Sequence, residues 1–141
     1  MRFINEELIY KGGDLSMSQN KRIEEMKKSK TSYYKIYDSV HKEIKINQGT
    51  EHIEDYLFQK YGVTKVMIPS SVIDIQKNAF FQCRQLTTVD IEGVNLEKIG
   101  ESAFSGCISL IKIVLPEKIQ TIEKYTFKDC EKLASISLPP N

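Results

Sequence analysis

Residues 99–110 read Ile-Gly-Glu-Ser-Ala-Phe-Ser-Gly-Cys-Ile-Ser-Leu, and this stretch decides the fold because it occurs three times in the chain. The first copy covers residues 75–86 and the third covers residues 122–133. Each copy has an Ile, a Phe five residues later, a Cys three residues after the Phe and a Leu three residues after the Cys. The cysteines lie 24 and then 23 residues apart. A fixed period of this length is typical of a solenoid, in which each repeat buries its apolar face against its neighbours.

A short β-strand is predicted before each copy, because two apolar residues two positions apart recur there. The predicted strands cover residues 65–68, 88–91 and 112–115, with a partial fourth at 135–138. Pro69 and Pro116 follow two of these strands directly and end them, since proline has no N–H to donate to a ladder. The Phe and the Cys of each copy are three residues apart, which predicts one face of a single helical turn with both side chains pointing into the core.

The amino-terminal part of the chain differs in composition. Residues 33–37 and 43–46 are rich in β-branched and aromatic residues and flank Asp38-Ser39, so we expect a β-hairpin. Its second arm also begins a degenerate repeat without the Cys, as expected of a terminal cap. Residues 16–30 are predicted to form a polar helix with a thin apolar stripe, within a partly disordered leader. The predicted division is a leader over 1–32, a hairpin with a capping repeat over 33–62, and three full repeats with one partial repeat over 63–141.

From about residue 43 to residue 141 these spacings resemble the BspA-like (Treponema-type) leucine-rich repeats. The resemblance implies a leucine-rich-repeat stack with one parallel sheet. Together with the β-hairpin cap and the short polar helix predicted ahead of it from the residues themselves, the expected fold class is an α/β solenoid. The resemblance further implies a protein-binding scaffold. Repeats of this type are found in surface antigens and adhesins of bacteria and protozoan parasites.

Charge and hydropathy exclude several classes of partner. The net charge is +1 and the isoelectric point is about 7.6, so we expect no nucleic-acid partner. No apolar run approaches the length of a membrane span. The amino terminus carries Glu6 and Glu7 and lacks the apolar segment of a signal peptide, so no cleavable signal peptide is expected. The localisation stays open, because reduced cysteines favour the cytoplasm whereas the family resemblance fits a cell surface.

The three cysteines, Cys83, Cys107 and Cys130, occupy equivalent repeat positions, and an odd count at one position argues against a disulfide framework. We expect them to be reduced and buried as small apolar residues. A thiol enzyme is the alternative, but His41 and His52 both lie in the amino-terminal cap region. Since there is also no close cysteine pair of the kind that binds zinc, we expect no catalysis, no metal and no cofactor.

The outward positions of the predicted strands form the candidate binding surface. Because neighbouring strands lie about 4.8 Å apart, equivalent positions form continuous columns across the sheet. The predicted protein-binding residues in these columns are Lys65, Met67, Thr88, Asp90, Lys112 and Val114. The partner would be a protein of unknown identity. The alternative function is a surface antigen or a self-assembling repeat segment that associates through its open carboxyl-terminal edge.

Overall fold

The computed structural model describes residues 34–36, 43–93 and 95–137, which form a β-solenoid of about four turns. We call these turns coils 1 to 4, with boundaries at residues 43–64, 65–87, 88–111 and 112–134. A further strand, at 135–137, begins the next coil. Each coil has the same three sides: a strand of a larger sheet, a short strand of a second sheet, and a run of turns. The predicted leader and its helix lie outside the described residues.

The larger sheet, which we call the main sheet, contains six strands. In spatial order they are β1 (Tyr34–Ile36), β2 (Glu43–Ile46), β4 (Lys65–Ile68), β6 (Thr88–Ile91), β8 (Lys112–Val114) and β10 (Ser135–Ser137). The strands from β2 onward are parallel to one another, as the repeat pattern predicts. Strand β1 pairs antiparallel with β2, which is the pairing a hairpin requires. The turn predicted at Asp38-Ser39 lies outside the described residues, and the capping role of this hairpin stays a prediction.

The prediction of one parallel sheet was wrong, because the return segments form a second one. This second sheet contains β3 (His52–Ile53), β5 (Asp74–Ile75), β7 (Lys98–Ile99) and β9 (Thr121–Ile122), all parallel and in this order. Strands of two residues are too short for alternation of apolar and polar residues to be visible in a sequence. What makes them strands is their pairing with equivalent residues of the adjacent coils, which only stacking brings together.

The predicted helical turn was also wrong, since the described residues contain no helix, and over those residues the fold is a β-solenoid rather than an α/β one. In coil 2, two successive β-turns take its place, closed by hydrogen bonds from the Ala79 N–H to Gln76 and from the Cys83 N–H to Phe80. Asn78 and Gln82 have φ angles of 55° and 54°. This is the left-handed conformation that the third residue of a type II turn requires. The N–H groups of Asn78, Phe80 and Gln82 donate to the next coil, whereas a helix would direct every N–H along its own axis.

The core is built from the same residue types in each coil. The rings of Phe58, Phe80, Phe104 and Phe127 form one stack, with centroids 5.5, 5.3 and 5.9 Å apart. Phe80 and Phe104 are fully buried, as are the isoleucines Ile75 and Ile99. The phenylalanines that the spacing predicts to point into the core therefore form, with Phe58, a continuous stack through the solenoid.

The cysteine at each third position after Phe has a specific role in this stack. The Cys83 thiol donates to the backbone carbonyl of Phe58 at 3.1 Å, and the Cys107 thiol donates to that of Phe80 at 3.2 Å. The Cys130 thiol donates to the carbonyl of Phe104 at 3.1 Å. Each thiol thus bonds to the preceding coil, which explains why a small residue with a weak donor suits this position better than an aliphatic one.

Candidate protein-binding surfaces

The outward side of the main sheet, which we call the main-sheet face, contains the six residues predicted to bind protein. Lys65 is directly opposite Thr88, and Thr88 is opposite Lys112. In the second column Met67 is opposite Asp90, and Val114 is opposite Ser137 of β10. The structure therefore brings all six residues together on the three adjacent strands β4, β6 and β8, in the predicted register. Their part in binding stays a prediction.

The most exposed apolar residue of this face is Val114 on β8. The side chain of Val114 is 54% exposed, and that of Ile111, just before the strand, is 53% exposed. Lys112 lies between them and is also exposed. Met67 on β4 is partly buried. The sequence analysis missed Ile111, because this residue precedes the strand and strand alternation does not place it among the outward positions.

A second polar surface, absent from the sequence analysis, lies where the second sheet meets the turns. Its side chains alternate in charge from coil to coil, and this charge column contains Asp55, Lys77, Glu101 and Lys124. The Lys77 ammonium lies 3.9 Å from Glu101, and that of Lys124 lies 3.5 Å from the same carboxylate. Aligning the repeats would have revealed this alternation, since these residues follow one another at intervals of 22, 24 and 23 positions.

A shallow groove of about 420 Å³ lies beside the charge column. Its charged lining is largely paired within the protein: Lys98 lies 3.5 Å from Glu123, and His52 Nδ1 lies 3.1 Å from an oxygen of Asp74. Gly100 lines the groove, and a Cβ atom there would lie 2.8 Å from backbone atoms of Gln76 and Lys77. The glycine is therefore explained by the close approach of two coils.

The chemistry of the cysteines is opposite to that of a catalytic thiol. All three are free in the structure, and Cys83 and Cys107 are buried. Burial raises the pKa of Cys107 to about 12 and that of Cys130 to about 11, and it raises the pKa of Cys83 well above its usual range. A nucleophilic cysteine needs a lowered pKa, because the thiolate is the reactive form. In the described residues His52 pairs with carboxylates, and the other histidine, His41, lies outside them.

The described residues also bear on metal binding and on membrane insertion. Among them, no group of three or more His, Cys, Asp or Glu side chains is arranged to bind a metal ion. The same residues include no helix of sufficient length and apolarity to span a membrane.

The repeat geometry agrees with one family of known proteins. The family model described as "BspA type Leucine rich repeat region" matches residues 28–141 in six copies. This chain belongs to the BspA-type leucine-rich repeat family. The match begins fifteen residues before the start of the resemblance seen in the sequence, at residue 43, so it extends to segments in which the Phe and Cys pattern is not visible.

Solved structures of bacterial leucine-rich repeat proteins have a similar fold. A protein from Bacteroides capillosus is 19% identical with a TM-score of 0.58, and the alignment covers 78% of this chain and 95% of that one. A leucine rich cell surface protein from Faecalibacterium prausnitzii is 22% identical with a TM-score of 0.50, covering 79% of this chain and 43% of its own. A leucine-rich repeat protein from Eubacterium ventriosum is 18% identical with a TM-score of 0.52, and the alignment covers 80% of this chain and 43% of that one.

At these identities the likeness shows the fold alone. The chain also spans less than half the length of the F. prausnitzii and E. ventriosum proteins. The comparison with curated proteins found no match. The fold is thus a leucine-rich-repeat solenoid, which generally serves as a non-catalytic scaffold, and solenoids of this kind present extended surfaces for binding.

Proposed function

We propose that this protein is a non-catalytic scaffold that binds another protein through its main-sheet face. The observation that carries the proposal is the exposure of Val114 on the outward side of β8, where it is 54% exposed, with Ile111 exposed just before the same strand. The inward position of β8, Ile113, is the one that contributes to the core, so the outward Val114 is not needed for core packing. Binding energy in protein interfaces is concentrated in a few such anchors.

The charged residues of the face support the same proposal. Lys65 precedes Met67 by two residues on β4, and Lys112 precedes Val114 by two on β8, so the same lysine and apolar pair recurs two strands apart. Two strands correspond to about 10 Å. Asp90 lies between the apolar side chains on β6. Charges at the rim of an apolar patch steer association and set the orientation of the partner.

The experiment compares two double variants that add the same charge. Met67→Lys/Val114→Lys alters the main-sheet face, and Ile73→Lys/Gln120→Lys makes a matched change at exposed positions beside the second sheet. Proteins retained from an extract of the source organism by the immobilised wild-type chain are quantified, purified and titrated against all three chains. We expect at least about a tenfold loss of affinity for the first variant only, since each anchor of an interface is worth roughly 2 kcal/mol.

Circular dichroism and thermal melting show whether both variants are folded. If the main-sheet variant is folded and binds the purified partner as tightly as the wild type, the main-sheet face is not the binding site.

We propose association through the carboxyl-terminal end of the solenoid as a second candidate function. The observation that favours it is the exposure of core-type residues in the last described coil and strand: Ile122 is 40% exposed and Ile136 is 39% exposed. Measuring the mass of the protein in solution over a range of concentrations separates the candidates. Association that increases with concentration and is lost in Ile136→Asp supports the end, whereas a monomer at all concentrations favours the main-sheet face.

A further inference from the structure

The charged side chains of the two sheets differ in whether they are paired. On the second sheet the Lys98 ammonium lies 3.5 Å from the Glu123 carboxylate. On the main-sheet face, no ion pair joins Lys65, Asp90 or Lys112 to another residue in the part of the chain that the structure describes. These three charges are therefore free to pair with charges of another molecule.

The three unpaired charges have a fixed arrangement across adjacent strands. Lys65 on β4 and Lys112 on β8 are both opposite Thr88, so they lie in one column and two strands apart. Two strand spacings amount to about 10 Å. Asp90 lies on β6, between the strands of the two lysines, but in the column that contains Met67. The arrangement is thus two cations about 10 Å apart, with one anion midway along the solenoid and to one side.

The apolar side chains of the face lie beside the two lysines. Met67 follows Lys65 by two residues on β4, and Val114 follows Lys112 by two residues on β8. Two residues of a strand span about 6.6 Å. An occupant that satisfies this surface therefore presents an anion and an apolar group side by side, and presents the same pair again about 10 Å further along the solenoid.

An α-helix that crosses the strands matches these distances. Seven residues of a helix rise about 10.5 Å, and successive residues lie about 100° apart around the axis, so the side chains of residues i and i+1 diverge toward two neighbouring columns. An extended segment laid across the strands does not match, since its side chains on one face recur at about 6.6 Å and 13 Å. The spacing of the charges therefore favours a helical occupant.

We infer that the main-sheet face binds a helix of another protein that has acidic residues at i and i+7, apolar residues at i+1 and i+8, and a basic residue at i+4. The acidic residues pair with Lys65 and Lys112, and the basic residue pairs with Asp90. The apolar residues contact Met67 and Val114. This inference rests on the proposed function and specifies the chemistry of the partner.

A second copy of the chain fits this arrangement poorly. The described residues contain no helix, so they cannot supply one to another copy. If two main-sheet faces packed about a two-fold axis along β6, Lys65 of each copy would meet Lys112 of the other, and Asp90 would meet Asp90. Like charges would then face each other, whereas a helix with an acid, base, acid order has an opposite charge at each of the three contacts.

The test uses the full chain and two 20-residue helical peptides made mainly of alanine and glutamine. The acidic peptide has glutamate at its positions 5 and 12, lysine at position 9, and leucine at positions 6 and 13. The reversed peptide keeps the leucines and has lysine at positions 5 and 12 and glutamate at position 9. Circular dichroism verifies that the two peptides are equally helical, and fluorescence anisotropy of the labelled peptides gives their affinity for each chain.

We expect the wild-type chain to bind the acidic peptide about fivefold to twentyfold more tightly than the reversed peptide at low ionic strength, because three exposed ion pairs replace three like-charge contacts. Lys65→Gln/Lys112→Gln should reduce this preference to about twofold or less, since only the Asp90 contact remains. Glutamine is the replacement because Glu43 lies opposite Lys65, and a second carboxylate there would repel it.

Two further variants separate the charges from the apolar contacts. Lys60→Gln/Lys128→Gln removes two exposed charges from the turns and should retain the full preference. Met67→Ala/Val114→Ala should weaken the binding of both peptides at least about fivefold, as expected for interface anchors, and should leave the preference unchanged. Melting curves verify that each variant is folded.

Any of four results would overturn the inference. Absence of peptide binding, or equal affinity of the wild-type chain for both peptides, would show that no helix with this charge order docks on the face. A preference that survives in Lys65→Gln/Lys112→Gln would place the peptide elsewhere on the chain. Self-association that is lost in Met67→Ala/Val114→Ala, with no preference for peptide charge, would make a second copy the occupant.

These failures are distinct from failure of the proposed function. That function fails if the folded Met67→Lys/Val114→Lys variant binds the captured partner as tightly as the wild type, whatever the peptides do.

Discussion

Coils 3 and 4 have nearly the same pattern of core residues, yet they are buried to different extents. Ile99 in coil 3 is fully buried, whereas its equivalent in coil 4, Ile122, is 40% exposed. Phe104 is fully buried between two rings, whereas Phe127 is only partly buried, with one ring contact among the described residues. The difference cannot come from the residues themselves. In a solenoid the burial of a side chain depends on the coil that stacks on it, so stability is shared between neighbours.

The largest effect that separates the two coils should come from truncating their phenylalanines. Phe104→Ala should lower the free energy of unfolding by about 3–5 kcal/mol, because the ring contacts both Phe80 and Phe127 and leaves a cavity. Phe127→Ala should cost roughly half as much, since its ring is partly exposed. Denaturant titration of both variants measures the difference. Equal losses would contradict the view that each coil is stabilised by two neighbours.

A smaller effect is expected where the coils approach most closely. Gly100→Ala places a Cβ atom 2.8 Å from the backbone carbonyl carbon of Gln76, and backbone atoms cannot move aside as a side chain can. We expect a loss of about 1–3 kcal/mol, as for other overpacked sites. The control is Glu123→Ala, the equivalent position in coil 4, which should change the stability by less than about 0.5 kcal/mol. Comparable melting temperatures for the two variants would show that the backbone of coil 2 shifts to accommodate the added Cβ atom of coil 3.

The third effect is the smallest near neutral pH, because it is a dependence of stability on alkaline pH. Burial raises the pKa of Cys107 from its ordinary value of 9.0 to about 12, so between these values the thiol loses its proton in the unfolded chain but keeps it in the folded chain. The stabilising contribution is complete below about pH 9 and is lost as the pH rises toward 12. The free energy of unfolding should therefore fall over this range, and less steeply in Cys107→Ala than in the wild type.

Cys130→Ala provides the comparison for coil 4. Its thiol has a smaller rise in pKa, to about 11, because it is less buried, so its removal should flatten the pH profile less than Cys107→Ala does. Denaturant titrations at several pH values under reducing conditions measure both slopes. Identical pH profiles for the wild type and Cys107→Ala would show that the Cys107 thiol titrates normally in the folded protein.

Much of the fold could be predicted because the same pattern of residues recurs in several repeats. The stack of Phe58, Phe80, Phe104 and Phe127 and the columns of the main-sheet face both follow from equal spacing and strand alternation. The turns around Asn78 and Gln82 could not be predicted in this way. Phe and Cys three residues apart fit a helical turn as well as two β-turns, and only the hydrogen bonds to the next coil distinguish them.

The candidate surfaces could be predicted only as far as local strand alternation reaches, and not where they depend on contacts between coils. Alternation in β4, β6 and β8 was sufficient to place Lys65, Asp90 and Val114 on one face. The charge column was missed because its members are 22 to 24 residues apart and have opposite signs, so they do not resemble one another as the cysteines do. Their relation is a distance between adjacent coils, as in the 3.5 Å contact of Lys124 with Glu101.

The sequence by itself determined the repeat, its period, the residues that point into the core and the columns that point away from it, because each of these is a local periodicity repeated along the chain. The tertiary structure alone decided three other features: the second sheet, the pairs of β-turns, and the different burial of Ile99 and Ile122. The physical reason is the same for all three. They depend on contacts between residues more than twenty positions apart, and those contacts exist only once one coil has stacked on the next.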